Sequence, residues 1–376
     1  MKPILNFIRK EFLQFSRDPK MFGIILVAPV IQLIFLGYAA NLDIEKIKLV
    51  VFDQDKTSTS RRLVKDLTSS GYFLIQDYLN DYNSVTEYLD YNKATVAIVI
   101  PNDFEKNLNR KETAKLQAIF DASDGNTASI AAGYLQQIIL QFAQNTSLEM
   151  MHRSGNIFVP IGNVTPEIRI WYNPTLKTRN YMVPGIVGLL LSIVTLLLTS
   201  LAVVKEKEIG TMEQLIVTPL KPYQIIIGKL VPFILLGFVS IIIVLTAMRI
   251  IFDIPVKGNI FFLFLSAFFY ILSTLGLGLF VSTISKTQQQ AMMIAVFAVM
   301  MPMVFLSGFA FPVENMPEII QYISYVIPLK YFINVIRGVI SKGLGFYDLW
   351  INALVLLIMG ILILVLSSLR FQRRLD

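Results

Sequence analysis

Six apolar stretches, each about the length that crosses a bilayer as a helix, leave this chain few ways to fold. They lie at 21–40, 181–204, 230–251, 260–284, 290–310 and 349–369, and Arg249 is the one charged residue among them. Charged residues make up 16% of the chain and hydrophobic ones 55%, whereas soluble proteins carry about 25% charged residues. The fold class that follows is an α-helical polytopic membrane protein with six transmembrane helices. The first stretch has Gly37 and Ala39 near its end, as a signal-peptide cleavage site would, but its apolar run is too long, so an uncleaved anchor is expected.

Charge sets the expected orientation. Segment 41–177 holds 14 Lys and Arg against 16 Asp and Glu, a net of −2, while the remaining residues hold 19 against 10, a net of +9. Lys2, Arg9, Lys10, Arg17 and Lys20 precede the first span, and Arg370, Arg373 and Arg374 follow the last. Basic residues stay on the cytoplasmic side, so both termini, including the tail 370–376, are expected there. The basic excess flanks apolar spans, which argues against nucleic acid as a partner. The chain has no Cys and one His, His152. That excludes disulfides and thiolate metal sites and leaves the histidine as a surface residue rather than a ligand.

Between the spans the character changes. Residues 1–20 alternate apolar and basic positions at helical spacing, as in a helix lying in the cytoplasmic membrane interface. Residues 41–177 read as an inserted mixed α/β extracytoplasmic domain. "IKLVVFDQDKTSTSRRLVKDLTSSGYF" gives strand, turn and helix, and "ATVAIVIPNDF" and "LQAIFDASDGN" give strands ended by turns. Asp53 and Asp55 lack the Gly and terminal Glu of a calcium loop and read as a solvated turn. Residues 311–342 carry prolines and scattered charge within an apolar background, which fits a re-entrant or interfacial hairpin on the outer side. Arg337 in it needs a partner, for which Glu314 or Glu318 are candidates.

The charged insert 205–229, KEKEIGTMEQLIVTPLKPYQIIIGK, stands between two spans. Thr211 and Gln214 fit a capping box, Gly210 permits a sharp turn, and Pro219 ends the helix between them. Met212, Leu215 and Ile216 then share one face of a helix of about two turns, an apolar knob inside a polar rim. Docking and plain connection are both compatible with that shape.

In the spans, Ser192, Thr195, Thr199 and Ser200 recur at helical spacing and suit either a substrate path or helix packing. Ser273, Thr274, Gly276 and Gly278 suit close helix approach. Met292, Met293, Met300, Met301 and Met303 suit an adaptable hydrophobic surface or lipid-facing filler. No phosphate loop is present, since Gly228-Lys229 is preceded by Tyr223 rather than Gly and followed by Leu230. No Ser-His-Asp or paired-carboxylate arrangement suggests a catalytic site, and no cofactor or metal site is expected.

The insert resembles the cytoplasmic loop of type-2 ATP-binding-cassette exporter permeases, with its E-x-E-x-G-T-x-E-x-L-x-x-T-P pattern and later G-K. Glu206, Glu208, Gly210, Thr211, Glu213, Leu215, Thr218, Pro219, Gly228 and Lys229 fall on it. "VFDQDKTSTSRRLVKDLTSSGYF" resembles the start of the extracytoplasmic domain in the drug-efflux-like branch with a long insert after the first span. "IPLKYFINVIRGVI", with Pro328, Tyr331, Phe332 and Arg337, resembles that family's element before the last span. The resemblance implies that residues 206–219 form a coupling helix gripped by a separate ATPase subunit, which uses ATP and Mg. It also implies a second permease subunit, identical or related, amphipathic substrates, and a periplasmic adaptor where the organism has two membranes. The alternatives are a lipid-linked polysaccharide exporter subunit, or a non-transporting receptor or assembly protein acting through the outer domain.

Overall fold

The computed structural model describes residues 2–17, 23–39, 46–110, 112–153, 171–173, 177–211 and 222–372. The chain falls into two compact units, one of residues 43–168 and one of 1–42 with 169–376.

In the first unit, β1 (Ile47–Asp53), α3 (Ser58–Ser69), β2 (Phe73–Tyr78), α4 (Tyr82–Asp90) and β3 (Val96–Ile100) follow one another, then α5 (Phe104–Asn109), β4 (Gln117–Phe120) and α6 (Gly125–Arg153). The strands form one sheet in the order β2-β1-β3-β4, with β1 parallel to both neighbours and β4 antiparallel to β3. A parallel strand is covered on both faces and reads as an unbroken apolar run. All five residues of β3, VAIVI, are buried. On one face Leu63 and Leu67 of α3 meet Leu135 and Phe142 of α6, and on the other Val85 of α4 packs with Val50 and Ala97. Thr57 caps α3 through a capping box with Ser60.

The second unit is helical. Its described elements are α1 (Lys2–Ser16), α2 (Ala28–Ala39) continuing a π-helical turn at Gly23–Val27, α7 (Thr178–Ile209) and α8 (Pro222–Phe252). α9 (Ile260–Ile284), α10 (Gln288–Leu306), α11 (Glu318–Ser324), α12 (Pro328–Arg337) and α13 (Phe346–Gln372) complete it. Five of these helices are long and apolar enough to cross a membrane, and α11 with α12, bent by 82°, make a broken sixth or a re-entrant pair. α9 sits among α7, α8, α12 and α13. In α7, 78% of the apolar window is buried, against 22% in α10 and in α13. Those two helices therefore present most of their apolar surface outward, the arrangement lipid contact allows.

Prolines shape the spans. Pro29 and Pro302 each follow a π-helical stretch, Gly23–Val27 and Ile294–Met300. A proline removes one ladder hydrogen bond and crowds the preceding turn, and a wider turn absorbs both.

The edges of the charged insert differ from expectation. α7 continues through Lys205–Ile209 instead of stopping at 204, and α8 begins at Pro222 instead of 230. KEKEI is made of good helix formers. Gly210 ends the helix at φ 78°, the left-handed region that favours glycine. The segment between the two helices shrinks to 210–221. Met212, Glu213, Gln214, Leu215, Ile216, Thr218 and Pro219, and so the expected coupling helix itself, lie outside the described residues.

Candidate functional site

The last turns of α7 carry the first half of the motif, and Glu206, Lys207 and Glu208 there each reach another helix. Glu206 is buried. Lys229 Nζ of α8 lies 2.5 Å from Glu206 Oε2 and 3.7 Å from Glu11 Oε1, as charge contacts rather than aligned hydrogen bonds. Lys10 Nζ donates to Glu11 Oε1 at 2.9 Å and to Glu206 Oε1 at 3.4 Å. Burial lowers the Lys10 pKa, but the carboxylates of Glu11 and Glu206 outweigh it, and the net shift is upward. Two carboxylates and two ammoniums thus neutralise one another where α1, α7 and α8 meet. Isolated, any one of them buried would carry a large desolvation cost.

Gly228 explains how α1 comes so close. A Cβ at that position would overlap the Phe7 ring of α1. Phe7 is itself buried. The G-K pair therefore has two separable jobs in this chain, room for Phe7 and a counter-charge for Glu206.

The next residues extend the clamp. Lys207 Nζ donates to the Ser282 carbonyl of α9 at 2.6 Å and lies 5.9 Å from the Phe371 ring centroid of α13. Glu208 is exposed, and its Oε2 accepts from Gln288 Nε2 at 2.7 Å at the start of α10. The Thr211 hydroxyl donates back to the Glu206 carbonyl at 3.3 Å and so helps close the end of α7; its expected capping partner, Gln214, lies outside the described residues. Glu206 and Glu208 share the motif but not their surroundings. One is locked inside the chain, and the other faces outward. Lys229, Gly228, Glu11 and Lys207 were not foreseen in these roles; the one available signal was a lysine inside an apolar helical run, which needs a counter-charge.

The hydroxyls of α7 are packing groups in this chain. Ser192, Thr195 and Thr199 are at most 1% exposed. Ser192 Oγ donates to Leu189 O and Thr195 Oγ1 to Leu191 O, both at 2.7 Å, and Thr199 Oγ1 donates to Thr195 O at 2.8 Å. Thr195 and Thr274 hydroxyls meet at 2.7 Å across α7 and α9. A Cβ on Gly278 would come within 2.7 Å of Leu196 O. Small residues let the two backbones approach, and the hydroxyls bind across the seam. Of these bonds, the Thr195–Thr274 contact crosses the seam, while those of Ser192 and Thr199 to Leu189 O and Thr195 O stay within α7.

The methionines divide. Met292 and Met293 are 47% and 54% exposed, while Met300 is buried beside Leu196 and Val281. The π-helical stretch Ile294–Met300 shifts the helical phase between them, so a single methionine face over 292–300 does not form.

Arg337 solves its desolvation problem without a carboxylate. Its Nε and Nη1 donate to Tyr181 O and Oη at 3.2 and 2.8 Å, and Nη1 also donates to Gly308 O at 2.9 Å. Its guanidinium stacks 3.7 Å from the Tyr181 ring centroid. The partners are thus the start of α7 and the end of α10, not Glu314 or Glu318. Pro328 opens α12, the Tyr331 hydroxyl donates to Tyr325 O at 3.0 Å, and Phe332 stacks on Tyr270 of α9 with ring centroids 4.4 Å apart.

In the sheet unit, Asp53 Oδ1 accepts from the Asp55 and Lys56 amides at 3.0 Å, and Oδ2 accepts from Ser60 Oγ at 2.7 Å. These carboxylate oxygens organise a turn. No cluster of three or more metal-ligating side chains occurs among the described residues. The His152 side chain lies outside the described residues.

The model of the ABC-2 family transporter protein matches residues 19–369. The probable multidrug ABC transporter permease YbhS of Escherichia coli is 31% identical, covering 100% of this chain and 99% of its own. YbhR, a probable multidrug ABC transporter permease of the same organism, is 33% identical with 91% of each chain covered. The inner membrane transport permease YhhJ is 24% identical over 99% of this chain and 98% of its own. A match over nearly the full length, together with helices fit to span a membrane, places this chain in the ABC-2 transporter family as a type-2 ABC permease.

Proposed function

We propose that this permease moves amphipathic or hydrophobic molecules, drugs or lipids, out of the cytoplasm or the inner leaflet of a bacterial cytoplasmic membrane. The energy comes from a separate ATPase subunit, which binds ATP and Mg; this chain carries no ATP site of its own. Residues 208–219 are where that subunit grips, with Leu215 and Ile216 as apolar anchors and Glu208 and Glu213 at the rim, while Glu206, buried against Lys229, holds the end of α7 behind them. Both termini face the cytoplasm, and residues 41–177 face the opposite side. Two permease subunits, identical or related, form the pathway, and a periplasmic adaptor contacts the outer domain where a second membrane exists.

The observation that carries this reading is the clamp at the end of α7. Glu206, Lys207 and Glu208 tie that helix to α1, α8, α9 and α10 directly beside the segment 210–221. A force applied to that segment enters a point where most helix ends are already joined, so it moves them as a body. A push on a loosely tethered loop would be absorbed by the loop itself.

Copurification of the tagged permease with its neighbouring ATPase tests this. Wild type is expected to retain the ATPase, and Leu215→Asp to release it while the permease stays folded. Absence of an ATPase from wild type under mild extraction overturns the reading. The multidrug names of YbhS and YbhR support testing drugs before lipids, by stimulated ATP hydrolysis.

A further inference from the structure

At the opposite end of the bundle from the clamp, a cleft of about 320 Å³ opens between the start of α7, the end of α8 and the turn after α12. Its lining includes the exposed Trp171 and Tyr172, the buried Ile254 and Ile340, and the exposed Lys257 and Lys342. Aromatic and lysine side chains at helix ends are ordinary interfacial anchors, and two observations go beyond that.

The first is that the walls are fastened. The Gly258 amide donates to Val339 O at 2.9 Å, and Lys257 Nζ donates to Ser341 O at 3.3 Å. A Cβ on Gly258 would lie 2.7 Å from Leu344 O, so only glycine lets the two segments meet. The π-helical turn Gly338–Lys342 ends on Gly343 at φ 72° and sets Lys342 beside Lys257 in the lining. The second is backbone strain. Tyr172 and Asp253, both lining the cleft, have φ of 69° and 54°. A bulky aromatic in that region is costly, and such residues concentrate at ligand sites.

Charge selects the occupant. Asp253 is paired with Arg249 at 3.0 Å, and among the described residues of the lining Lys257 and Lys342 have no carboxylate partner. The first turn of α7 borders the cleft through Asn180 and Tyr181 and adds the positive end of a long helix. Trp171 is 73% and Tyr172 52% exposed, offering apolar faces beside those cations.

We infer that this cleft binds the phosphate headgroup of a membrane lipid, with the phosphate at Lys257 and Lys342 and the upper acyl chains against the exposed rings of Trp171 and Tyr172. The position at the span ends is where headgroups lie. It holds whichever side of the membrane that end faces, so it stands apart from the proposed transport direction.

Native mass spectrometry of the purified permease tests it, with dioleoylphosphatidylglycerol, dioleoylglycerol (the same tails without phosphate) and inorganic phosphate as probes. Wild type is expected to retain one phosphatidylglycerol per chain. The double variant Lys257→Gln, Lys342→Gln should retain roughly thirtyfold less, the loss expected for two headgroup-level cations. Lys286→Gln, exposed at the other end of the bundle, should match wild type, and dioleoylglycerol should bind no better than to the double variant. Equal retention of phosphatidylglycerol by the double variant, or of dioleoylglycerol by wild type, overturns the site. If inorganic phosphate at millimolar concentration displaces the lipid and binds Trp171→Ala, Tyr172→Ala as well as wild type, the occupant is the free anion and the lipid assignment falls.

Discussion

Glu206 of α7 and Lys229 of α8 meet at 2.5 Å with side chains 8% and 4% exposed. The pair joins the two ends of the segment that carries the proposed ATPase grip.

Removing one partner leaves a buried charge uncompensated, which costs about 3–5 kcal/mol. Glu206→Ala and Lys229→Ala should each lower the melting temperature of the purified permease sharply. The double variant should lose much less than the two losses added together. Additive losses would mean that the pair does not interact.

Gly228 and Phe7 should behave as a lock and its space. Gly228→Leu is expected to expel α1, seen as faster proteolysis within residues 2–17. Phe7→Ala in the same chain should restore much of the protection, because it vacates the volume the leucine needs. Rescue failure would place the damage elsewhere. The absence of native cysteine makes single-cysteine labelling of α1 an independent readout.

Glu105 supplies a pH dependence in the sheet unit. The Thr59 hydroxyl donates to Glu105 Oε1 and holds its pKa below the ordinary 4.5, aided by Ser58. A depressed folded pKa gives stability that is present above the unfolded value and lost as pH falls through the folded one. Hydrogen-exchange protection of residues 96–109 should therefore hold above pH 4.5 and decline below it. Thr59→Val should flatten that decline. An unchanged profile in Thr59→Val would show that this carboxylate does not contribute.

Arg337→Lys should be nearly as harmful as Arg337→Ala. A lysine can stand in for Nη1 on Tyr181 Oη and Gly308 O, but not at the same time for Nε on Tyr181 O and Nη2 on Phe309 O, nor stack a guanidinium on the Tyr181 ring. Each carbonyl orphaned in an apolar setting costs about 1–3 kcal/mol. Thermal stability comparable to wild type in the lysine variant would contradict the fork.

Thr195→Val and Met293→Ser separate packing from substrate contact. Thr195→Val should cost about 0.6 kcal/mol, typical of an interhelical hydrogen bond in a membrane, with the transported substrate range unchanged. Met293 is exposed, so Met293→Ser should leave stability near wild type and alter the substrate range if that face meets cargo. A changed range in Thr195→Val would return α7 to the pathway.

Some of this architecture was written in local pattern. Membrane class and the five long spans follow from apolar runs such as 260–284, because the bilayer fixes a length and excludes charge. The first run, 21–40, gives among the described residues only the short apolar helix α2 (Ala28–Ala39), and the bent pair α11 with α12 was not expected to supply a span. The strands β1 and β3 were readable as apolar runs closed by polar turns, and the break after residue 310 as a cluster of prolines. The motif around Glu206 and Gly210 marked its neighbourhood as special.

What the sequence could not decide was which residues of that motif face inward. Lys229 looked like the edge of a loop because a charge is costly in an apolar helix. The helix runs through it because Glu206 and Glu11, distant in sequence, neutralise it. The same holds for Arg337, whose partners are carbonyls that no residue type announces, and for Thr195, whose hydroxyl finds Thr274 only after α7 and α9 close on Gly278. Hydrophobic length is a one-dimensional property and determined the spans. Charge compensation and close approach depend on which helices become neighbours, and only the tertiary structure decides that.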